Sequence, residues 1–89
     1  MPAITIDERR APHIFRHAGG HFREDTPVVR RILLDVANRP ENFRGTDGFG
    51  ADWFMETLGD GTQVWAQVRD GKITNGGLNP SPIEFIEVT

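Results

Sequence analysis

Apolar residues in the middle of the chain recur with a helical period. Val28, Val29, Ile32, Leu33, Val36 and Ala37 fall on one stripe, and Arg30, Arg31, Asp35 and Asn38 take the other side. Asp25-Thr26-Pro27 opens the segment, because Thr26 is a good N-cap and proline suits the first helical position. Asn38-Arg39-Pro40 closes it, because the residue before a proline is pushed out of the α region. The pattern predicts a helix over about 26–38. Beyond it the period changes. Residues 51–58, 62–69 and 72–75 are rich in β-branched and aromatic side chains and are separated by Gly59-Asp60-Gly61 and Asp70-Gly71, the turn chemistry of hairpins. A last short strand is expected over 83–88.

Ahead of the helix the signals are shorter. Residues 1–11, with Ile4-Thr5-Ile6, read as an edge strand or a linker. His13-Ile14-Phe15-Arg16 reads as a short extended segment after Pro12, and Ala18-Gly19-Gly20 as a turn whose two arms make a hairpin or an ordered loop. One helix followed by a β-meander, in a single domain over 12–89, predicts an α+β class with the helix packed on one sheet face. In the strand at 62–69, alternation sends Val64, Ala66 and Val68 to the helix side. Gln63, Trp65, Gln67 and Arg69 take the other side, an unusual row for a merely solvated surface.

Composition narrows the chemistry. Eighty-nine residues suit one domain. No cysteine is present, so neither a disulfide nor a thiolate zinc site is available. No apolar run approaches the roughly 20 residues that span a bilayer, so no membrane integration is expected. The start, MPAITIDERR, has no apolar segment of the secretory kind. Net charge is −3, unevenly spread: residues 1–45 carry eight Arg against six carboxylates, and residues 46–89 carry two basic residues against seven. A phosphate site would therefore be local and would draw mainly on the arginine-rich first half.

All three histidines lie in HIFRHAGGHF, as His13, His17 and His21. Their spacing would align three zinc ligands on a helix, but Gly19-Gly20 argues against a helix there, so no metal or other cofactor is expected. Acid/base chemistry is the stronger reading. One imidazole takes the proton from an RNA 2′-hydroxyl, and a second gives one to the leaving 5′-oxygen. Arg16 between them would stabilise charge on the phosphorane-like transition state. The segment Thr74-Asn75-Gly76-Gly77-Leu78-Asn79 reads as a connector whose glycines admit close approach and whose Thr74, Asn75 and Asn79 can donate to an oxyanion. Trp65 can stack a base, with Gln63 or Gln67 bonding its edge. No phosphate-binding Gly-Lys-Ser/Thr loop exists.

Taken together, "HIFR…GGHF…DTPVVRRILLDVAN", "GTDGFGADWF" and "DGTQVWAQVRDGKITNGGLN" resemble the C-terminal toxin domains of bacterial polymorphic toxins. These are the tips of contact-dependent growth-inhibition and Rhs-type proteins, and within them the small RNases of the barnase/EndoU/colicin/RelE-like group. The resemblance covers about residues 12–80. It implies a metal-independent endoribonuclease that cuts tRNA and leaves a 2′,3′-cyclic phosphate. The catalytic residues would be His13, His21, Arg16 and Thr74; Asp25, Thr26, Trp65, Gln67, Arg69, Asn75 and Asn79 would bind substrate; and His17 falls outside the matched stretches. It also implies a monomeric domain of a larger secreted or cell-surface protein, acting in a target cell's cytoplasm and neutralised at home by an immunity protein. Many such toxins are basic, and this chain is not. A second reading takes that acidity as the function: a non-catalytic immunity or antitoxin-type protein whose Asp47, Asp52, Glu56, Asp60 and Asp70 mimic RNA in a basic cleft.

Overall fold

The computed structural model describes residues 3–85. Its chain runs β1 (Thr5–Ile6), a 3₁₀ turn (Glu8–Arg10), α1 (Ala11–Ile14), α2 (Pro27–Ala37) and a second 3₁₀ turn (Pro40–Asn42). There follow β2 (Phe43–Thr46), β3 (Asp52–Thr57), β4 (Gln63–Arg69) and β5 (Lys72–Asn79). Strands β2 to β5 form an antiparallel meander, and β1 adds to β5 in parallel, giving the order β1-β5-β4-β3-β2. The class is α+β, with α2 packed on one face of the meander. Among the described residues no helix is long and apolar enough to cross a membrane.

Helix α2 forms where its caps place it. Thr26 Oγ1 accepts from the Val29 amide at 3.2 Å, and Asn38 follows the last helical residue. Leu33, Val36 and Ala37 are buried against Phe54, Val64, Ala66, Val68 and Ile73. At 0 % and 2 % exposure, Leu33 and Val36 each contribute about 1.5–3 kcal/mol of burial. The stripe is narrower than the periodicity suggests, because Val28 in the first turn is 69 % exposed. At the other end of the helix, Asn42 donates to the Val36 carbonyl at 3.1 Å and to Glu56 at 3.0 Å, and Arg39 reaches the same carboxylate at 2.6 Å. Those two donors hold the Glu56 carboxyl below its usual range.

The glycine-asparagine segment is not a connector. It continues β5 to Asn79, and the glycine pair is what lets both faces of that strand be covered. A Cβ on Gly76 would meet Leu33 Cδ2 at 2.9 Å on the helix side, and a Cβ on Gly77 would collide with the Gly20 carbonyl on the other. Strand β2 was not foreseen, because Gly45 interrupts its apolar pattern. That glycine sits at a register shift with φ +148°, and the Phe85 ring lies 2.6 Å from where its Cβ would be. The strand expected over 83–88 is not seen at 83–85, and 86–88 lie outside the described residues.

Residues 5–22 run along the outer edge of β5. Thr5 and Ile6 pair with Lys72 and Ile73, α1 lies against the strand, and Gly20 accepts from the Leu78 amide at 3.0 Å. An edge that would otherwise expose its backbone is thereby covered. His13-Ile14 is helical rather than extended, because α1 (Ala11–Ile14) drives Ile14 fully into the core. Phe15 and Phe22 then close a loop through a single parallel bridge, so the arms do not make an antiparallel hairpin. Arg30 ties this arm to α2 by pairing with Glu8 at 2.7 Å and Asp25 at 2.6 Å and lying over the Phe15 ring.

Candidate functional site

The sheet face away from α2 carries the Trp65 row, as strand alternation requires. Cross-strand pairing brings Trp53 and Asn75 beside Gln67, and Met55 and Gly77 beside Trp65. Two adjoining cavities lie on this face. The polar one, about 220 Å³, is lined by Arg10, His13, Gln67, Arg69, Thr74 and Asn75, with Asp47, Phe49 and Ala51 on its far wall. The apolar one, about 640 Å³, is lined by Phe49, Trp53, Met55, Trp65, Ile83 and Phe85, together with Asp47, Gln67 and Asn79. Asp47, Phe49 and Gln67 belong to both and form the boundary.

His13 reaches the polar cavity because α1 turns it outward while Ile14 turns inward. The cleft partly shields its ring from water, and the charges of Arg16 and Arg10 further disfavour the protonated form, so its pKa lies below the usual histidine value. His13, on the polar cavity, and His21, whose ring lies against Trp65, stand on the same side of the sheet, although His21 lines neither cavity. His21 is held firmly. Its Nδ1 lies 3.1 Å from the Ile14 carbonyl and its Nε2 3.1 Å from an Arg16 nitrogen. A carbonyl only accepts and a guanidinium only donates, so in these two bonds Nδ1 is the donor and Nε2 the acceptor. Its edge meets Trp65, with ring centroids 5.4 Å apart.

Trp65 is less available than its place in the row suggests. It is 8 % exposed, stacks on Trp53 at 5.4 Å and donates from Nε1 to the Gly20 carbonyl at 2.9 Å. It floors the aromatic cavity, while Phe49, 84 % exposed, and the half-buried Trp53 present the open rings. Asn79 donates to Gln63 at 3.0 Å, and the Gln63 amide bonds both the amide and the carbonyl of Ile83, also at 3.0 Å. This clamp lays the segment that ends at Phe85 along the cavity wall.

Asp25 and Thr26 stand apart from this cleft, one pairing with Arg30 and the other capping α2. His17 is exposed on the loop between the arms. Among the described residues no three His, Asp or Glu side chains come together as a metal-binding group. The five carboxylates of the RNA-mimic reading, Asp47, Asp52, Glu56, Asp60 and Asp70, are dispersed. Asp60 and Asp70 lie in turns at opposite ends of β4, Asp52 accepts from Thr46, and Glu56 is bonded by Asn42 and Arg39.

Arg10, Phe49 and Trp53 carry no assignment from the sequence, and Asp47 carries one only as an RNA-mimicking carboxylate. The GTDGFG segment carried a usable signal, an Asp between glycine-rich turns. Asp47 Oδ1 accepts from the amides of Phe49 at 2.9 Å and Ala51 at 3.1 Å, and its Oδ2 accepts from Trp53 Nε1 at 2.8 Å. Trp53 is the largest of the influences that hold its carboxyl below the usual range, followed by the Ala51 and Phe49 amides and Arg69. The interaction stabilises the fold above about pH 4 and is lost as pH falls through the depressed value. Asp47→Ala should lower stability by about 1–3 kcal/mol, since it leaves the Trp53 indole and two amides without their acceptor. Urea unfolding followed by tryptophan fluorescence measures this, and an unchanged midpoint would refute it. Comparison with models of protein families, with curated proteins and with solved structures finds no match for this chain.

Proposed function

We propose that the chain is a metal-independent endoribonuclease of the polymorphic-toxin kind, cutting tRNA to a 2′,3′-cyclic phosphate and a 5′-hydroxyl end. The observation that carries this reading is the polar cavity itself: His13 opens onto it among Arg10, Arg69, Thr74 and Asn75, beside an aromatic cavity with an exposed ring at its mouth. A histidine with a depressed pKa is unprotonated at neutral pH and suits the base that takes the 2′-hydroxyl proton. The attacking oxygen comes from the substrate, so the reaction needs positioned donors more than a bound nucleophile. Arg69, Thr74 and Asn75 are donors to the phosphate oxygens as negative charge develops. Arg16 turns from His21 to the phosphate, and the freed Nε2 takes up a proton from solvent, which it then gives to the leaving 5′-oxygen. A base adjoining the scissile phosphate lies against Phe49 and Trp53 rather than on the buried Trp65.

Incubation of the purified protein with total tRNA in EDTA tests the reading. Discrete fragments ending in cyclic phosphate, with unchanged yield in EDTA, are expected. Intact tRNA after prolonged incubation removes it.

A further inference from the structure

A third cavity, about 590 Å³, adjoins the His13 cleft on the side of the β4–β5 turn and is lined by Asp7, Arg9, Arg10, Arg69, Asp70, Lys72 and Thr74. Arg10, Arg69 and Thr74 line both spaces, so the two adjoin along those side chains. Two features of this rim have no use in the fold. Arg69 and Lys72 are direct cross-strand partners, a pairing of like charges that destabilises a hairpin. In addition, Arg10, Arg69 and Lys72 make no ion pair among the described residues, whereas Arg30, Arg31 and Arg39 all do and the exposed Arg9 makes a long one to Asp7 at 3.5 Å. The parallel addition of β1 to β5, continued by the Asp7 amide on the Ile73 carbonyl at 3.0 Å, brings the Arg9-Arg10 turn against the Arg69–Lys72 end of the hairpin. Four cations against two carboxylates thus gather at one end of a chain whose total charge is −3.

We propose that this rim is a second phosphate subsite, holding a backbone phosphate of single-stranded RNA one or more steps from the scissile bond. The proposal rests on the nuclease reading and deepens it. The substrate then lies with a base at the Phe49 end, the scissile phosphate at His13, and a further phosphate between Arg9 and Lys72. A dinucleotide with one phosphate leaves the rim empty, and a longer strand fills it.

The test uses fluorescence polarisation with labelled 2′-deoxy oligonucleotides, which lack the attacking hydroxyl and are not cut. Arg9→Gln combined with Lys72→Gln removes two exposed cations that take no part in the chemistry. The double variant should bind a tetranucleotide about tenfold more weakly, the loss expected for charge-assisted hydrogen bonds to one phosphate. Its slope of log affinity against log salt should fall by about 0.7, one single-strand phosphate's share. Binding of the one-phosphate dinucleotide should stay the same, and Lys72→Arg should bind both as the unaltered protein does. Equal tetranucleotide affinity and slope in the double variant overturn the subsite, even if tRNA is cut. A rim-dependent tetranucleotide affinity beside uncut tRNA supports the subsite and removes the nuclease reading instead.

Discussion

Replacing His13 by alanine should reduce tRNA cleavage by about 10²- to 10⁴-fold, the usual contribution of a positioned acid or base. The fold should survive, because the ring is exposed while its neighbour Ile14 supplies the core contact. Circular dichroism and a thermal melt matching the unaltered protein would separate lost chemistry from lost structure. Cleavage by His13→Ala at the normal rate would end the mechanism drawn here. The pH profile gives an independent check. The folded site disfavours the protonated ring, so the acid limb of kcat/KM should lie below the ordinary histidine value of about 6.5. Activity falls as pH drops through that limb. Arg10→Gln removes one of the repelling charges and should move the limb upward, while an unmoved limb would mean that another group titrates.

Gly77→Ala should be the most damaging small change in the molecule. Its Cβ would occupy the space of the Gly20 carbonyl, which accepts from both the Leu78 amide and the Trp65 indole. Overpacking against backbone cannot be relieved by a side-chain rotation, and two hydrogen bonds must break as the strands part. A loss of about 3 kcal/mol or more is expected. For a domain of this size that lowers Tm by on the order of 10–20 °C. The His21–Trp65 contact should be lost with it, because Gly20 immediately precedes His21. Gly59→Ala is the control: nothing lies within 4 Å of its Cβ position, and its stability should change by no more than about 0.5 kcal/mol. Equal melting of the two variants would show that the arm does not dock on β5 through Gly20.

What was legible in the chain was legible for local reasons. The Thr26-Pro27 start, the helical stripe and the Asp70-Gly71 turn are each stated by neighbouring residues, and α2, β3 and β4 form within about two residues of where the pattern puts them. The two faces of β4 follow from alternation alone. The parts that were misread all depend on distant partners. Four residues of α1 are too few to hold a helix by themselves, and Ile14 becomes helical because the core receives it. Gly76-Gly77 looks like a turn to any local rule, yet it is strand because Leu33 and Gly20 press on its two faces.

The candidate site divides in the same way. Residue type and spacing marked His13, His21, Arg16, Thr74 and Asn75 as the groups able to handle a proton and a phosphate. Arg10 and Phe49 carried no such mark, since an arginine in a charged run and a phenylalanine between glycines look ordinary until the cleft shows what faces them. By itself the sequence determined the helix, the hairpins and the inventory of chemical groups, because periodicity, caps and turns act over a few residues. Only the tertiary structure decided which of those groups meet. The N-terminal arm has to lie along the edge of β5 before His13 can face Thr74, and that docking depends on a missing side chain at Gly77 and a carbonyl at Gly20.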